Sequence, residues 1–488
     1  MTDYFGADIV RQAGQRPAAP AIVTAQRTID FATLHRAIEG TAGALHGAGL
    51  APGAVAGIVL HNRPRHLVAL LALQRMGVAV LGIGPEEPAA GRRALLAQAG
   101  ASVTIADRTD AVDGMPTIVP TADWWDHPAS GLPRPGPATP CYMTRSSGTT
   151  SGVSKLVPTS HGWEVERIRH TLQRIPFGAE DRFFPLLRFS FGISRDYAIR
   201  TLFRGGAVIL PPPFRTVGGL VQVARRLGAT WTAATPLHLR DLLRAAGERP
   251  MLPGLKIACS AAMLNPTERK AVMERLTAEL YIVYGANEVG VLSIATPADL
   301  AEDIATVGRP EPAIETEAVD DDDRPLPSGS VGRLRFRHPR FALSYLHPDP
   351  AATSRFADGW FYPGDVGLID PAGLIHLRGR ADEVINVGGS KVHPTDIEAC
   401  LATHPAVTDA VALALDSSRL GAVPAALVVA AGTTEAALIA YCRQRLTSTS
   451  APRRIAIVET IPRTEGGKID RSALGALVRR LFGDGGAA

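Results

Sequence analysis

The sequence predicts an α/β fold with a large N-terminal domain of mixed α/β sheets, a small β-rich subdomain and a small α+β C-terminal domain. Three observations carry that expectation. Short apolar runs alternate with helix-period segments early in the chain. From Thr316 the texture changes to hairpin signals. After Gly379 a compact mixed pattern returns.

Ala56-Gly-Ile-Val-Leu60 is short and apolar, as a buried strand requires, and a helical pattern follows from Pro64 to Met76. Ala79-Val-Leu-Gly-Ile83 repeats the strand signal, with a helix expected over Gly91 to Ala99 and a third strand at Val103-Thr-Ile-Ala106. This βαβ rhythm implies a mostly parallel sheet. Further strands are expected at Ala207–Leu210, Ala229–Ala233, Leu255–Ala258 and Leu280–Val283. In the middle region, Asp320-Asp-Asp-Asp-Arg-Pro is a turn and Val331–Phe336 alternates like a half-exposed strand. Asp370-Pro-Ala-Gly separates strands at Val366–Ile369 and Leu374–Leu377. The C-terminal part shows strands at Ala410–Leu415 and Pro424–Ala430 and a helix at Thr434–Leu446. The Pro-rich stretch Pro133–Pro140 is an ordinary loop, and there is no internal repeat.

At 488 residues the chain can bury large cores, and 46% hydrophobic with 20% charged residues describes a soluble globular protein. Lys plus Arg number 51 against 47 Asp plus Glu, so the net charge is only +4 and evenly spread. A nucleic-acid partner is not expected on that balance. Cys141, Cys259, Cys400 and Cys442 form no C-x-x-C pair, so neither zinc nor a disulfide framework is indicated. No run reaches the ~18 apolar residues of a membrane span. Met1-Thr-Asp-Tyr-Phe lacks the pattern of a signal peptide. A cytoplasmic enzyme with reduced thiols is expected.

Four segments carry chemistry. Ser146-Ser-Gly-Thr-Thr-Ser-Gly-Val-Ser-Lys155 is rich in Gly and hydroxyls, and such a loop offers backbone N–H and side-chain O–H groups to phosphate oxygens. The pattern G-x-x-x-x-G-K-[ST] does not fit it. Ser147, Gly148, Thr149, Thr150 and Lys155 are its candidate contacts. Tyr284-Gly-Ala-Asn-Glu-Val-Gly290 follows an apolar strand, and open α/β sheets bind ligands at strand carboxyl ends. Gly359-Trp-Phe-Tyr-Pro-Gly-Asp365 runs on to Gly379-Arg-Ala-Asp-Glu-Val-Ile-Asn-Val-Gly-Gly389, and an ionised Asp365 offers two oxygens to a vicinal diol. Ile461-Pro-Arg-Thr-Glu-Gly-Gly-Lys-Ile-Asp-Arg471 places Lys468 after two glycines.

In order and spacing these segments resemble the adenylate-forming superfamily of acyl- and aryl-CoA synthetases, peptide-synthetase adenylation domains and luciferases. The resemblance covers roughly residues 25 to 475. It implies ATP-dependent activation of a small-molecule carboxylate to an acyl-AMP, then transfer to a thiol. It implies that Tyr284, with Gly285 and Asn287, meets the nucleotide, that Glu288 holds Mg2+, and that Asp365 and Arg380 grip ribose and phosphate. Asn287 replaces the usual Thr or Ser, Ser151 a frequent Gly, and Pro363 a frequent Thr. Lys468 would bridge the acyl carboxylate and the α-phosphate during adenylation, so Lys468, Glu288 and Arg380 form the catalytic set. Asp382 aligns with the hinge between an adenylation domain, 1–378, and a mobile C-terminal domain, 379–488. Gly388, Gly389 and Lys391 would line the thiol channel after domain rotation. The acyl pocket is expected from Phe189, Phe191, Gly192, Arg195, Ser260 and Ala261, in a stretch closer to aryl-CoA ligases. Ser190 stands where amino-acid-activating domains usually carry the acid that grips an amino group, though Asp196 is nearby. Arg195 has two readings, a partner for a second carboxylate or hydroxyl of the substrate, and a structural ion pair.

Three functions follow. The leading one is an aryl or short acyl ligase using coenzyme A. The second is a freestanding adenylation enzyme that loads the phosphopantetheine of a separate acyl carrier protein. The third is a nucleotide-binding protein without turnover.

Overall fold

A computed structural model describes the chain except residues 1–3, 60, 62, 109–113, 130, 146–154, 212–215, 249, 340, 342–344, 348–354, 389, 418–419, 465–466 and 484–488. The large N-terminal part is built on two sheets. The first is six-stranded, in the order Thr117–Ile118, Val103–Ile105, Val55–Val59, Ala79–Ile83, Pro140–Arg145, Leu156–Ser160. All its pairings are parallel except the last, Pro140–Arg145 with Leu156–Ser160. The second is nine-stranded, and its centre, from Pro20–Thr24 through Ala207–Leu210, Arg182–Phe183, Trp231–Ala234 and Lys256–Cys259 to Leu280–Ala286, is parallel. Antiparallel strands close both edges: Thr28–Asp30 on one side, Gly290–Ala295 and Arg309–Pro310 on the other.

One apolar core joins the two sheets. Leu67–Leu73 of the helix Pro64–Arg75, Tyr197–Leu202 of the helix Gly192–Phe203, and the ring of Trp231 meet in it. That explains why the helix Pro64–Arg75 is buried almost all round, its Gln74 and Arg75 included. Gln74 donates to Cys141 Sγ at 3.4 Å and Arg75 to Glu39 at 2.7 Å, so the polar groups that break this apolar run are partnered inside the core.

The hairpin texture after Thr316 is a separate antiparallel sheet containing Glu315–Val319, Gly332–Arg337, Phe356–Ala357, Trp360–Phe361, Asp365–Ile369 and Ile375–Arg380. The C-terminal part pairs Val407–Ser417 with Gly421–Ala430 over ten residues, with Arg454–Ile457 alongside in parallel. Helices Pro394–Ala402 and Glu435–Arg443 cover one face of this sheet and helix Arg471–Phe482 the other. All four cysteines are free and buried. Among the described residues no helix is long and apolar enough to cross a membrane.

Candidate active site

Strand carboxyl ends from both large sheets open into one cavity of about 1470 Å³. Gly84 and Glu86 follow the strand Ala79–Ile83, Ser260–Leu264 follow Lys256–Cys259, and Tyr284–Ala286 end their own strand. The opposite wall comes from Asp365 and Arg380 of the small sheet and from Glu398, Asp409, Arg463 and Lys468 of the C-terminal part. Parallel sheets leave backbone groups and turns at these ends, which is why ligands bind there.

Two local geometries set the wall that holds Tyr284, Asp365 and Arg380. Strand Asp365–Ile369 pairs Asp365 directly with Arg380 across the sheet. Gly364 precedes it at φ +83°, and a Cβ there would lie 2.8 Å from Arg380 Nη2, so only glycine leaves room for the guanidinium. Arg380 donates to Pro363 O at 2.6 Å and to Asp365 Oδ1 at 3.3 Å. The other oxygen of Asp365 accepts from the Tyr284 hydroxyl at 2.6 Å. Burial and that neighbouring carboxylate push the Tyr284 phenol well above its ordinary pKa. Gly285 sits at a bulge where a Cβ would come 2.2 Å from Gly290 O, so the hairpin cannot close around a larger residue. Asn287 donates to Arg145 O at 2.6 Å and ties this hairpin to the strand Pro140–Arg145, which leads towards residues 146–154.

Glu288 is buried, accepts from the Tyr345 hydroxyl at 3.1 Å, and has Arg355 Nη1 at 3.6 Å. Lys155 Nζ lies 5.5 Å from the Tyr345 ring centre. Ser147, Gly148, Thr149 and Thr150 lie outside the described residues.

Lys468 stands at the end of a tight hairpin. Arg463 bridges to Ile469, Thr464 N donates to Lys468 O at 2.8 Å, and Gly467 takes φ +78° to close the turn. Arg463 is fixed by three bonds to Asp409, at 2.9, 3.0 and 3.3 Å, and donates to Gly467 O at 3.1 Å. The hairpin docks on the large domain, because a Cβ on Gly467 would meet Thr235 Oγ1 at 3.2 Å and Leu237 Cβ at 3.4 Å. The Lys468 side chain is accessible from the cavity but walled by protein. That desolvation lowers its pKa; Glu288 and Asp365 oppose the shift while Arg380 and Arg355 reinforce it. Lys468, Glu288, Asp365 and Arg380 thus come from four separate stretches of sequence into one electrostatic neighbourhood.

The profile of the AMP-binding enzyme family matches residues 9–346, and that of the AMP-binding enzyme C-terminal domain matches 396–468. The chain belongs to the AMP-binding enzyme family. It is similar to indoleacetate–CoA ligase of Aromatoleum aromaticum, at 25% identity over 97% of this chain and 98% of the relative. It is also similar to fatty acid–[acyl-carrier-protein] ligase ScoC of Streptomyces coeruleorubidus, at 25% identity over 95% and 94%. The amide bond synthetase McbA of Marinactinospora thermotolerans superposes with a TM-score of 0.84 at 26% identity, covering 96% of this chain and 99% of that structure. As a member of the family, the chain is an AMP-forming acid–thiol ligase that activates a carboxylic acid with ATP.

The acyl-pocket expectation divides. Phe191, Gly192, Arg195, Ser260 and Ala261 line the cavity. Phe189 is corrected: its ring is fully buried in the core between the sheets, and the chain turns there so that Ser190 and the residues after it face the cavity. Ala261 holds φ +78°, a left-handed conformation that costs a non-glycine residue roughly 1–3 kcal/mol and recurs at functional sites. Asp382 lies in the one-turn helix Ala381–Glu383 and accepts from Arg380 Nε at 3.2 Å. Gly388 and Lys391 do not line the cavity; Lys391 pairs with Asp321 at 3.3 Å. Gly389 lies outside the described residues. Sequence reasoning missed Tyr345, Arg355, Glu164 and Arg167. None sits in a motif, although Arg355 comes four residues before the Gly359 segment, as the missed cavity residue Tyr142 comes four before the Ser146 segment.

Proposed function

We propose that the protein is a coenzyme A ligase for an aromatic or short acyl carboxylate, acting in two half-reactions that share one cavity. In the first, a carboxylate oxygen of the acid attacks the α-phosphorus of ATP, and the bond to the β-phosphate oxygen breaks to release pyrophosphate. In the second, the thiol sulfur attacks the acyl carbon, AMP leaves, and the thiol proton passes to solvent. The observation that carries this reading is the arrival of Lys468, from the C-terminal part, in the same cavity as Asp365, Glu288 and Arg380.

The roles follow from chemistry. The Lys468 ammonium offsets charge between the acyl carboxylate and the α-phosphate as it develops. Asp365 accepts from the ribose hydroxyls, with Arg380 holding the carboxylate in place and Tyr284 beside the base. Ser147, Gly148, Thr149, Thr150 and Lys155 cradle the phosphates. Glu288 is a single buried carboxylate facing open cavity, which suits Mg2+, an ion that keeps most of its water shell. When bound, that ion supplies charge neutralisation at the phosphates. The division into 1–378 and 379–488, with its hinge at Asp382, lets the C-terminal domain rotate between half-reactions and bring Gly388, Gly389 and Lys391 to the thiol. The strand Ile375–Arg380 ends two residues before Asp382, and a hinge at an element's end supports that reading. The setting is cytoplasmic, where the four thiols stay reduced.

An amino acid is disfavoured as substrate. Asp196, the acid nearest the expected amine position, is bonded to Arg167 at 2.6 Å and also faces Arg195 and Arg200. A carrier-protein acceptor is the second reading, supported by the likeness to the carrier-protein ligase over the whole chain. The test supplies benzoates, phenylpropanoids, short acids, long-chain acids and amino acids with ATP, and with either CoA or a phosphopantetheinylated carrier protein. Acyl-CoA from an aryl or short acid is the expected product. Thioester on the carrier alone would move the assignment to the second reading, and a preference for amino acids or long chains would overturn the pocket assignment.

A further inference from the structure

We infer that the acid activated by this protein carries a second anionic group, a carboxylate or sulfonate, which the guanidinium of Arg195 receives inside the acyl cavity. The inference rests on the ligase reading above and narrows its substrate.

The wall formed by helices His161–Arg174 and Gly192–Phe203 is charged rather than apolar. Glu164, Arg167, Arg195, Asp196 and Arg200 all line the cavity. The charges do not balance, since three guanidiniums face two carboxylates. Both carboxylates are already committed. Asp196 accepts from Arg167 Nη1 at 2.6 Å, and Glu164 accepts from Arg167 Nε at 3.2 Å and from Thr159 Oγ1 at 2.7 Å.

Two guanidiniums are left over: Arg200, 1% exposed with no hydrogen-bond partner among the described residues on any of its three nitrogens and with Glu311 among its charged neighbours, and Arg195. For Arg195 the closest carboxylate oxygen among the described residues is Asp196 Oδ1, 3.9 Å from Nε and beyond hydrogen-bond reach. Its one bond to a described group is long, 3.5 Å from Nη1 to Phe189 O. Its Nε is buried with no hydrogen-bond partner, while the guanidinium stacks 4.5 Å from the Tyr142 ring centre. The side chain is 9% exposed, so water does little to solvate the charge. A buried guanidinium in that state is costly until an anion pairs with it. A structural ion pair, the bland alternative, would show the hydrogen bonds that Arg167 makes and Arg195 lacks.

The surroundings fit an anionic oxygen cluster. The hydroxyls of Ser190, Tyr142 and Tyr197 are buried without partners, and all three residues line the cavity. A planar carboxylate or a sulfonate matches a guanidinium fork in two parallel bonds, with hydroxyls on its remaining lone pairs. A cationic substituent would meet Arg195, Arg167 and Arg200 together and is excluded by the same charges.

The experiment compares acids in matched pairs on the full chain: terephthalate against its monomethyl ester, glutarate against pentanoate, and sulfoacetate against propanoate. Acid-dependent AMP release gives kcat/KM for each. The anionic member is expected to lead by roughly 10- to 100-fold, the worth of a charge-assisted bond in a site built for it. In Arg195→Met that ratio should fall to near one, and Arg195→Lys should restore part of it through KM. Monoacids used as well as or better than their anionic partners, or an unchanged ratio in Arg195→Met, would overturn the inference while leaving the ligase reading intact. AMP from no acid at all would overturn the ligase reading, and this inference with it. The wild-type comparison stands even if a variant fails to fold.

Discussion

Replacing Lys468 with alanine should abolish acyl-AMP formation and spare thioester formation from supplied acyl-AMP. The cavity wall near Lys468 holds Glu288 and Asp365 against Arg355 and Arg380, so the protein side is close to charge-neutral without the lysine. ATP and the acid bring several negative charges into that space. The Lys468 ammonium is the cation delivered by the C-terminal hairpin. Losing one preorganised donor at developing charge costs about 10²–10³ in rate, or ~3–4 kcal/mol of barrier. Pyrophosphate release under single turnover reads the first half-reaction, and acyl-CoA formation from synthetic acyl-AMP reads the second. A loss confined to the first is expected. Equal loss in both would refute the claim that this lysine serves only adenylation, and an unchanged first step would remove Lys468 from the chemistry.

Other expectations follow from the same geometry. Asp365→Ala should weaken ATP binding by roughly 10- to 100-fold in calorimetry, since a charged hydrogen-bond acceptor is lost in the ground state; unchanged affinity would take Asp365 out of the nucleotide site. The pKa of Lys468 is lowered by burial, and the ammonium is the working form, so kcat/KM should fall as pH rises through a value below the ~10.4 of a free lysine. Lys468→Arg should shift that fall upward. Glu311 is 3% exposed, both its oxygens lack partners, and burial raises its pKa to about 7. A raised carboxyl pKa contributes stability below the unfolded value near ~4.3 and loses it as pH climbs through about 7. Glu311→Gln should therefore be more stable than wild type at about pH 8, by up to ~3 kcal/mol, with the gap shrinking towards about pH 5 in urea denaturation. A pH-independent difference would contradict the assignment.

Much of the nucleotide side was legible because its residues must follow strands or turns that announce themselves. Tyr284 sits on an apolar run that became the strand Leu280–Ala286, and Asp365 opens the strand predicted at Val366. Lys468 was legible from its glycine frame, although its packing against Thr235 and Leu237 was not, since no local pattern encodes a domain docking. The acyl side was harder. Phe189 and Phe191 are chemically alike, and only the backbone turn between them sends one to the core and the other to the cavity. Arg355 and Tyr345 reach Glu288 from about 60 residues away in sequence, a separation no periodicity reveals. Buried helix residues misled in another way. Gln74 and Arg75 are polar residues inside the helix expected over Pro64 to Met76, yet both are buried, held by Cys141 and Glu39. The long strand pair Val407–Ser417 and Gly421–Ala430 extends past the apolar stretches that predicted it, because most of the added end residues are exposed or half-buried and give no buried-strand signal.

The most direct test of the central claim follows the phosphorus of ATP by ³¹P NMR with the wild-type protein, Mg2+, CoA and the acid panel. AMP and pyrophosphate should appear together, only when a carboxylic acid is present, with acyl-AMP building up when the thiol is omitted. ADP and inorganic phosphate as products, or AMP release that ignores the acid, would contradict the account.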